Sequence, residues 1–317
     1  MITTRKNLDG FAISLMIVLC LLWGLQQVAI KLAAPAISSF TQLGLRSALA
    51  AILVSCLICL RGIRFSLWGK HLLPGLLAGA FFAGEFFCVS AGLNYTSASH
   101  MSVFLYTAPI FTVLGLHWLI AAERMQRSQW LGIFSAFCGV AVAFSGALSV
   151  DGKVLTDVLL GDALGVLAGM LWAATTLVIR RSSLSEAEPT TTLLYQLAVA
   201  GILLLGFAAI NGDLSRNLAW QEWDGSVWLN IFFQSVIIAF ISYLSWFWLM
   251  RSYLTSRLAV FSFLTPLFGV AAGVIFLQET MTPRFAMGAA LVLTGIVLVN
   301  RRTQNAAPPL LTENTCA

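Results

Sequence analysis

Apolar residues in this chain come in long blocks separated by short polar or basic segments, a pattern with neither the strict two-residue alternation of strands nor the one-sided stripe of a soluble helix. A helix needs about 20 mainly apolar residues to cross the hydrocarbon core of a bilayer. Blocks of that length predict membrane helices over 10–31, 39–60, 72–93, 99–121 and 128–148, and again over 159–180, 190–210, 227–250, 257–278 and 284–301. Ten spans occupy most of the 317 residues, so no soluble domain is expected. Arg5 and Lys6 precede the first block as they would in a secretory signal, but the apolar run continues past Trp23 to Ile30 and reads as a first helix.

Composition agrees. Hydrophobic residues make up 59% and charged residues 10% of the chain, against roughly 25% charged in a soluble domain. That surplus of apolar surface has to face lipid. Thirteen of the 18 Lys and Arg fall on one side if the N-terminus is cytoplasmic, among them Lys6, Arg61, Arg124, Arg180 and Arg251. This positive-inside bias predicts both termini inside, which requires an even number of spans. The net charge of +5 is thus a topology signal, and no nucleic-acid partner is expected, because the basic residues are spread over six loops and tails. Cys20, Cys56, Cys59, Cys88 and Cys138 lie within spans; the Cys56/Cys59 spacing inside an apolar helix reads as packing, and no metal site or cofactor is expected.

The chain repeats itself. Trp23–Lys31 reads WGLQQVAIK and Trp172–Arg180 reads WAATTLVIR, a shift of 149 that matches Gln26 with Thr175 and Gln27 with Thr176. Tyr95–Glu123, running through Pro109, matches Tyr253–Glu279, running through Pro266, at shifts of 156 to 158; Gly132 and Gly139 match Gly288 and Gly295. Each half then holds five helices, residues 1–149 and 150–302, followed by a polar tail 303–317 expected to be disordered. Five is odd, so the second half enters the membrane from the opposite side. Inverted repeats of this kind suit carriers, because exchanging the conformations of the two halves turns an outward-open site inward.

The early WG…K, the Tyr95–Ser99 segment YTSAS, Pro109 inside the fourth span and Glu123 at its end, with their echoes Trp172, Pro266 and Glu279, resemble the EamA-type members of the drug/metabolite transporter superfamily over residues 10–302. The resemblance implies a ten-helix, exporter-like carrier with a central cavity lined by both halves. It leaves the substrate open, and the Ser252–Thr255 segment is only a loose copy of its first-half counterpart.

Candidate site residues follow from what the bilayer penalises. Glu85 sits mid-span among Phe81, Phe82, Phe86 and Phe87, where a carboxylate costs about 2.5–3.5 kcal/mol or more to insert. It persists only by facing a cavity, finding a cation or holding a proton. A carboxylate among aromatic rings suits a cationic or amine-bearing ligand. Arg46 is the basic residue placed well inside a span, fit to hold a carboxylate or to pair with Glu85. Trp23 and Gln27 share a helix face, as do Trp172 and Thr176, and symmetric polar positions mark a shared cavity or interhelical bonding. The repeat puts Tyr243 opposite Glu85, with Trp246 and Phe247 on its face. Pro109 and Pro266, read as interior to helices, are candidate hinges. Glu123 and Glu279, at helix ends on opposite membrane sides, are expected in interfacial charge networks, and His117 in hydrogen-bonded packing.

These features predict an all-α inner-membrane protein and a secondary transporter: a proton-coupled exporter of an amine-bearing or cationic metabolite or drug. The alternative within transport is an amino acid or carboxylated metabolite with Arg46 on its carboxylate. A non-transporting scaffold or receptor is the alternative from another class. The chain carries no GxxxxGK[ST], HExxH or GxSxG motif, so neither ATP-driven transport by this chain nor an enzyme is expected. Partners are a small organic solute, protons and the lipid bilayer; a homodimer is compatible with the pattern but not indicated by it.

Overall fold

The computed structural model describes residues 6–63, 69–95, 101, 104–144, 155–214, 223–277 and 283–300. The tail 303–317, Glu279 and the YTSAS segment after Tyr95 lie outside the described residues, as do the side chains of Gln27 and Lys31. What is described is helical: α1 (Gly10–Ala33), α2 (Ser39–Leu60), α3 (Leu72–Gly92), α4 (Ala108–Leu119), α5 (Arg127–Phe144), α6 (Leu155–Arg181), α7 (Pro189–Ile210), α8 (Gly225–Ser252), α9 in two pieces (Thr255–Phe261 and Leu264–Leu277) and α10 (Pro283–Asn300). Five of these spans, α2, α3, α6, α7 and α8, are each long and apolar enough to cross a membrane unaided. Outward faces of the helices are apolar, with Ile52, Leu131, Ile202 and Leu293 more than half exposed. In water such faces would drive aggregation; in a bilayer they are the solvated surface.

Polar side chains inside the helices turn back on their own backbone. Ser47 donates to Leu43 O at 2.7 Å, Ser55 to Ala51 O at 2.8 Å and Thr294 to Ala290 O at 2.8 Å. A hydroxyl in hydrocarbon has no water to bond, and the carbonyl four residues back is the nearest acceptor.

The helices pair in a pattern that survives exchange of the two halves. α4 packs on α6 and α9 on α1; α3 packs on α7 and α8 on α2; α3 packs on α6 and α8 on α1. α2 against α7 and α5 against α10 are their own counterparts. At the last of these contacts the repeated glycines meet each other. A Cβ on Gly132 would stand 2.7 Å from Gly295 O, and one on Gly139 would stand 2.6 Å from Gly288 O. Backbone-to-backbone contact at both levels leaves no room for a side chain.

Two expectations are corrected here. Pro109 and Pro266 are not interior to helices. The chain leaves its helical path at Tyr106–Thr107 and at Ser262–Phe263, and each proline stands in the first turn after the break, Pro109 at the start of α4 and Pro266 near the start of Leu264–Leu277. There its missing N–H removes no intrahelical bond. At each break a hydroxyl turns onto the carbonyl three residues back, which also accepts the same residue's N–H: Thr107 Oγ1 donates to Phe104 O at 2.6 Å and Ser262 Oγ to Ala259 O at 2.5 Å.

Glu123, expected at an interface, is buried at 1% exposure. Arg180 Nη2, at the end of α6, reaches its Oε1 at 2.6 Å. The Thr255 and Ser256 amides donate to its two oxygens at 3.0 Å each, and Ser256 Oγ donates at 2.6 Å. One carboxylate therefore joins the turn after α4, the end of α6 and the start of α9. His117, as expected of packing, accepts the Met125 N–H at 2.9 Å beside Trp130.

At the same end, Asp9 Oδ1 accepts the Ala12 N–H at 2.9 Å and Oδ2 the Tyr253 hydroxyl at 2.8 Å. The bond from Ala12, and after it that from Tyr253, holds the Asp9 carboxyl below its ordinary range.

Two outcomes follow for thermal melts in detergent. Glu123→Ala strands a buried guanidinium and two helix N–H groups, and is expected to lose about 3–5 kcal/mol; an unchanged melting temperature would show the cluster to be dispensable. Because Asp9 is the depressed-pKa case, its contribution is present above the unfolded carboxylate pKa and is lost as pH falls through the lower folded value. Asp9→Asn should therefore flatten stability between wild type's neutral and acidic melts, and an unaltered acid dependence would exclude Asp9 as its source.

Candidate functional site

Among the described residues the helix pairing leaves a central cavity, with about 680 Å³ of empty volume including its opening to solvent. α3 contributes Glu85 between Phe82 and Phe86, which are one turn apart with ring centroids at 4.9 Å. α8 contributes Tyr243, Trp246 and Phe247, which share a face at helical spacing. Immediately before Tyr243, α8 is π-helical over Phe233–Ser242. Such wide turns interrupt the ordinary register and recur at functional sites.

α1 and α6 bring the repeated motif to opposite walls. Trp23 sits edge-on to Tyr243 at 6.4 Å and to Trp246 at 5.7 Å, and its indole N–H donates to Ser242 Oγ at 3.0 Å. Trp172 sits edge-on to Tyr106 at 5.7 Å. Thr175 and Thr176 both line the cavity while donating to Leu171 O and Trp172 O, at 3.0 and 3.2 Å. With Tyr106 from the turn before α4 and Gln196 from α7, the wall is mostly aromatic, with few polar groups.

Glu85, Tyr243, Trp23, Trp172, Thr176 and Trp246, all singled out from sequence, meet at this cavity. Arg46 stands apart from it. Arg46 is fully buried behind the wall, its guanidinium 4.4 Å over the Phe86 ring, with Nη2 donating to the Tyr243 hydroxyl at 3.3 Å. Its Nε and Nη1 have no partner among the described residues. Arg46 and Glu85 form no ion pair; the ion pairs among the described residues are Arg180–Glu123 and Arg251–Glu188. On α1 it is Gln26 that reaches the cavity, while the Gln27 side chain is outside the described set. Gln196, Tyr106 and Thr175 were not proposed as site residues. Helix starts at Ser39 and Pro189 align α2 with α7 at a shift of 150, which puts Gln196 at the repeat position of Arg46; that register would have found it.

Smaller spaces adjoin the central one. Ile179 and Phe247 also line a space of about 250 Å³ that reaches Arg180 and Arg251. A second, of about 200 Å³, lies between Pro109, Ser262 and the shared residues Trp172, Thr176 and Trp246. The breaks in α4 and α9 therefore border the cavity, although Pro266 itself does not line it.

The arrangement matches known proteins. The model of the EamA-like transporter family matches residues 10–145 and 159–301, once in each half. An "Uncharacterized transporter" of Archaeoglobus fulgidus is 32% identical over 88% of this chain and 95% of its own length. The "Uncharacterized transporter YvbV" of Bacillus subtilis is 27% identical over 89% of this chain and 88% of its own. A "Probable amino-acid metabolite efflux pump" of Salmonella typhimurium is 25% identical over 92% of this chain and 94% of its own. A crystal structure with 16% identity shares the fold at a TM-score of 0.75, covering 91% of this chain and 96% of that one.

Tyr243→Phe tests the wall behind the cavity, because it removes the hydroxyl on which Arg46 Nη2 rests. A buried donor left without its acceptor is expected to lower stability by about 1–3 kcal/mol. A variant melting with wild type would mean that the guanidinium finds a replacement acceptor.

Proposed function

The chain belongs to the EamA-like transporter family, and we propose that it is a secondary carrier exporting an amine-bearing or cationic organic solute, with Glu85 as the proton-coupling group. The observation that carries this reading is a carboxylic side chain in the wall of an aromatic cavity with no cation in ion-pair contact among the described residues. A bound ammonium would gain the carboxylate and the faces of Trp, Tyr and Phe rings together. A proton can take the same place when the solute leaves, which links the two movements. The family and the names of the relatives are those of transporters, not enzymes.

Alternating access fits the symmetry of the helix pairing. Two five-helix units, residues 1–149 and 150–302, in opposite orientation would exchange conformations across the central cavity. The distribution of basic residues favours cytoplasmic termini and, with them, residence in the inner membrane. The two breaks bordering the cavity are where helix ends can move without disturbing whole helices, and Pro109 and Pro266 would limit bending to those points.

A second reading is favoured by the two unpartnered nitrogens of Arg46. If Phe86 and Tyr243 move aside, a carboxylated or amino-acid metabolite could dock there, as the name of the Salmonella relative suggests for that protein.

Proteoliposomes with an internal pH dye and a preset proton gradient test both. Cationic amines should move protons with wild type, and at least about tenfold less with Glu85→Gln, a change equivalent to about 1.4 kcal/mol or more. Amine-driven proton movement at the wild-type rate in Glu85→Gln would sink the first reading. Acidic metabolites carried by Glu85→Gln but not by Arg46→Met would establish the second.

A further inference from the structure

Arg46 and Gln196 occupy matched positions in α2 and α7, helices of 22 residues each that begin at Ser39 and Pro189. Tyr243 and Glu85 are matched in the same way by the shift of 158 that relates Tyr95 to Tyr253. α2 packs on α8 and α3 on α7. The pair Arg46–Tyr243 in one half thus has Gln196–Glu85 as its counterpart in the other. In the first pair a long donor meets a long acceptor, with Nη2 and the phenol oxygen at 3.3 Å. In the second both side chains are shorter, and Gln196 Nε2 has no hydrogen-bond partner among the described residues although Gln196 is only 1% exposed.

Among the described residues lining the cavity, Gln196 is the one that has a buried polar atom without a partner. The Thr175 and Thr176 hydroxyls are already engaged with backbone carbonyls, and the Trp23 N–H with Ser242. A primary amide N–H in such a place is expensive to leave unbonded, so it marks where an acceptor belongs. Nearby charge decides what kind of acceptor. Gln196 is neutral and Glu85 shares its cavity, while the Arg46 guanidinium lies behind Phe86 and Tyr243. No cation on this wall compensates a carboxylate, whereas a neutral oxygen needs no compensation.

We propose that Gln196 is a specificity-determining residue: its Nε2 donates to a neutral acceptor oxygen, such as an amide carbonyl, on the same solute whose amine is held by Glu85. The class of solute is then an aromatic or apolar amine with a neutral oxygen a few bonds from the nitrogen. This rests on the reading of Glu85 as the amine site. A site built around a hydrogen-bonding group discriminates against analogues lacking that group, because its own polar atom is left bare when they bind.

The test measures binding by the fluorescence of the cavity tryptophans in the purified full chain, with phenylalaninamide and phenethylamine as probes. Both carry an aromatic ring and an amine, and only the first has a carbonyl. Mildly acidic buffer keeps both amines charged. Wild type should bind phenylalaninamide roughly three- to tenfold more tightly, the range expected of one neutral hydrogen bond. Gln196→Met, close in shape, should weaken phenylalaninamide alone until the two probes bind alike; Gln196→Leu serves as the second variant should the first fold poorly. Equal binding of the probes to wild type, or a Gln196→Met variant that weakens both equally or keeps the preference, would overturn the proposal. Glu85→Gln separates the levels. If it still binds phenethylamine as wild type does, the amine reading itself fails; if it loses both probes while Gln196→Met changes nothing, only the role of Gln196 falls.

Discussion

A charge buried away from water has to be surrounded by partners, and in this protein the Glu123 carboxylate meets that demand by drawing three helix ends onto itself. Its two oxygens take the Arg180 guanidinium from α6, two amides at the start of α9 and the Ser256 hydroxyl, all within 3.0 Å. Because the first turn of a helix has free N–H groups and a positive field, a carboxylate is well placed there. Glu123 comes from the first half, while Arg180, Thr255 and Ser256 come from the second. Ile179, next to Arg180 in the chain, lines both the cavity and the neighbouring space that reaches Arg180. Removing any one partner would strand the others in a dry place, so the cluster forms as a unit.

The cavity carboxylate is the opposite case. Glu85 sits among aromatic rings and forms no ion pair among the described residues. A carboxylate whose every lone pair is taken has nothing to offer a solute. One left facing open space does. The bundle has thus placed two carboxylates in low-dielectric surroundings with different neighbours: Glu123 binds the protein to itself, and Glu85 faces the cavity, where the proposed function puts the solute. The same contrast separates Arg46, which rests against Phe86 and Tyr243, from Gln196 at its repeat position.

Much of this was legible from residue order alone, because hydropathy and helix length are coupled so tightly in a bilayer. The ends of α2 fall at 39 and 60, where the apolar block runs, and Trp23, Glu85, Trp172, Thr176, Tyr243 and Trp246 meet as the repeat suggested. The failures are equally physical. Gln26 lines the cavity and was not singled out, because adjacent positions differ by about 100° around a helix and which of them meets a cavity depends on the tilt of α1 against its neighbours. The breaks at Tyr106–Thr107 and Ser262–Phe263 lie within continuous apolar runs. Apolar composition reports depth in lipid, not continuity of the hydrogen-bond ladder. Glu123 looked interfacial because its partners lie 57 to 133 residues away in sequence.

The departures from symmetry are more informative than the symmetry itself. An inverted repeat with identical halves would place equivalent chemistry on both walls and could hold only a solute, or a pair of solutes, with matching ends. Here Gln26 faces the site from α1 while Thr175 and Thr176 face it from α6; Glu85 stands where the other half has Tyr243; Gln196 stands where the other half has Arg46. Each exchange replaces a group by one of different charge or reach. The scaffold contacts, by contrast, keep their counterparts, as the facing glycines of α5 and α10 do at both levels. The cavity thus presents unlike polar groups from the two parts of the chain, while the Trp23 and Trp172 rings are common to both walls.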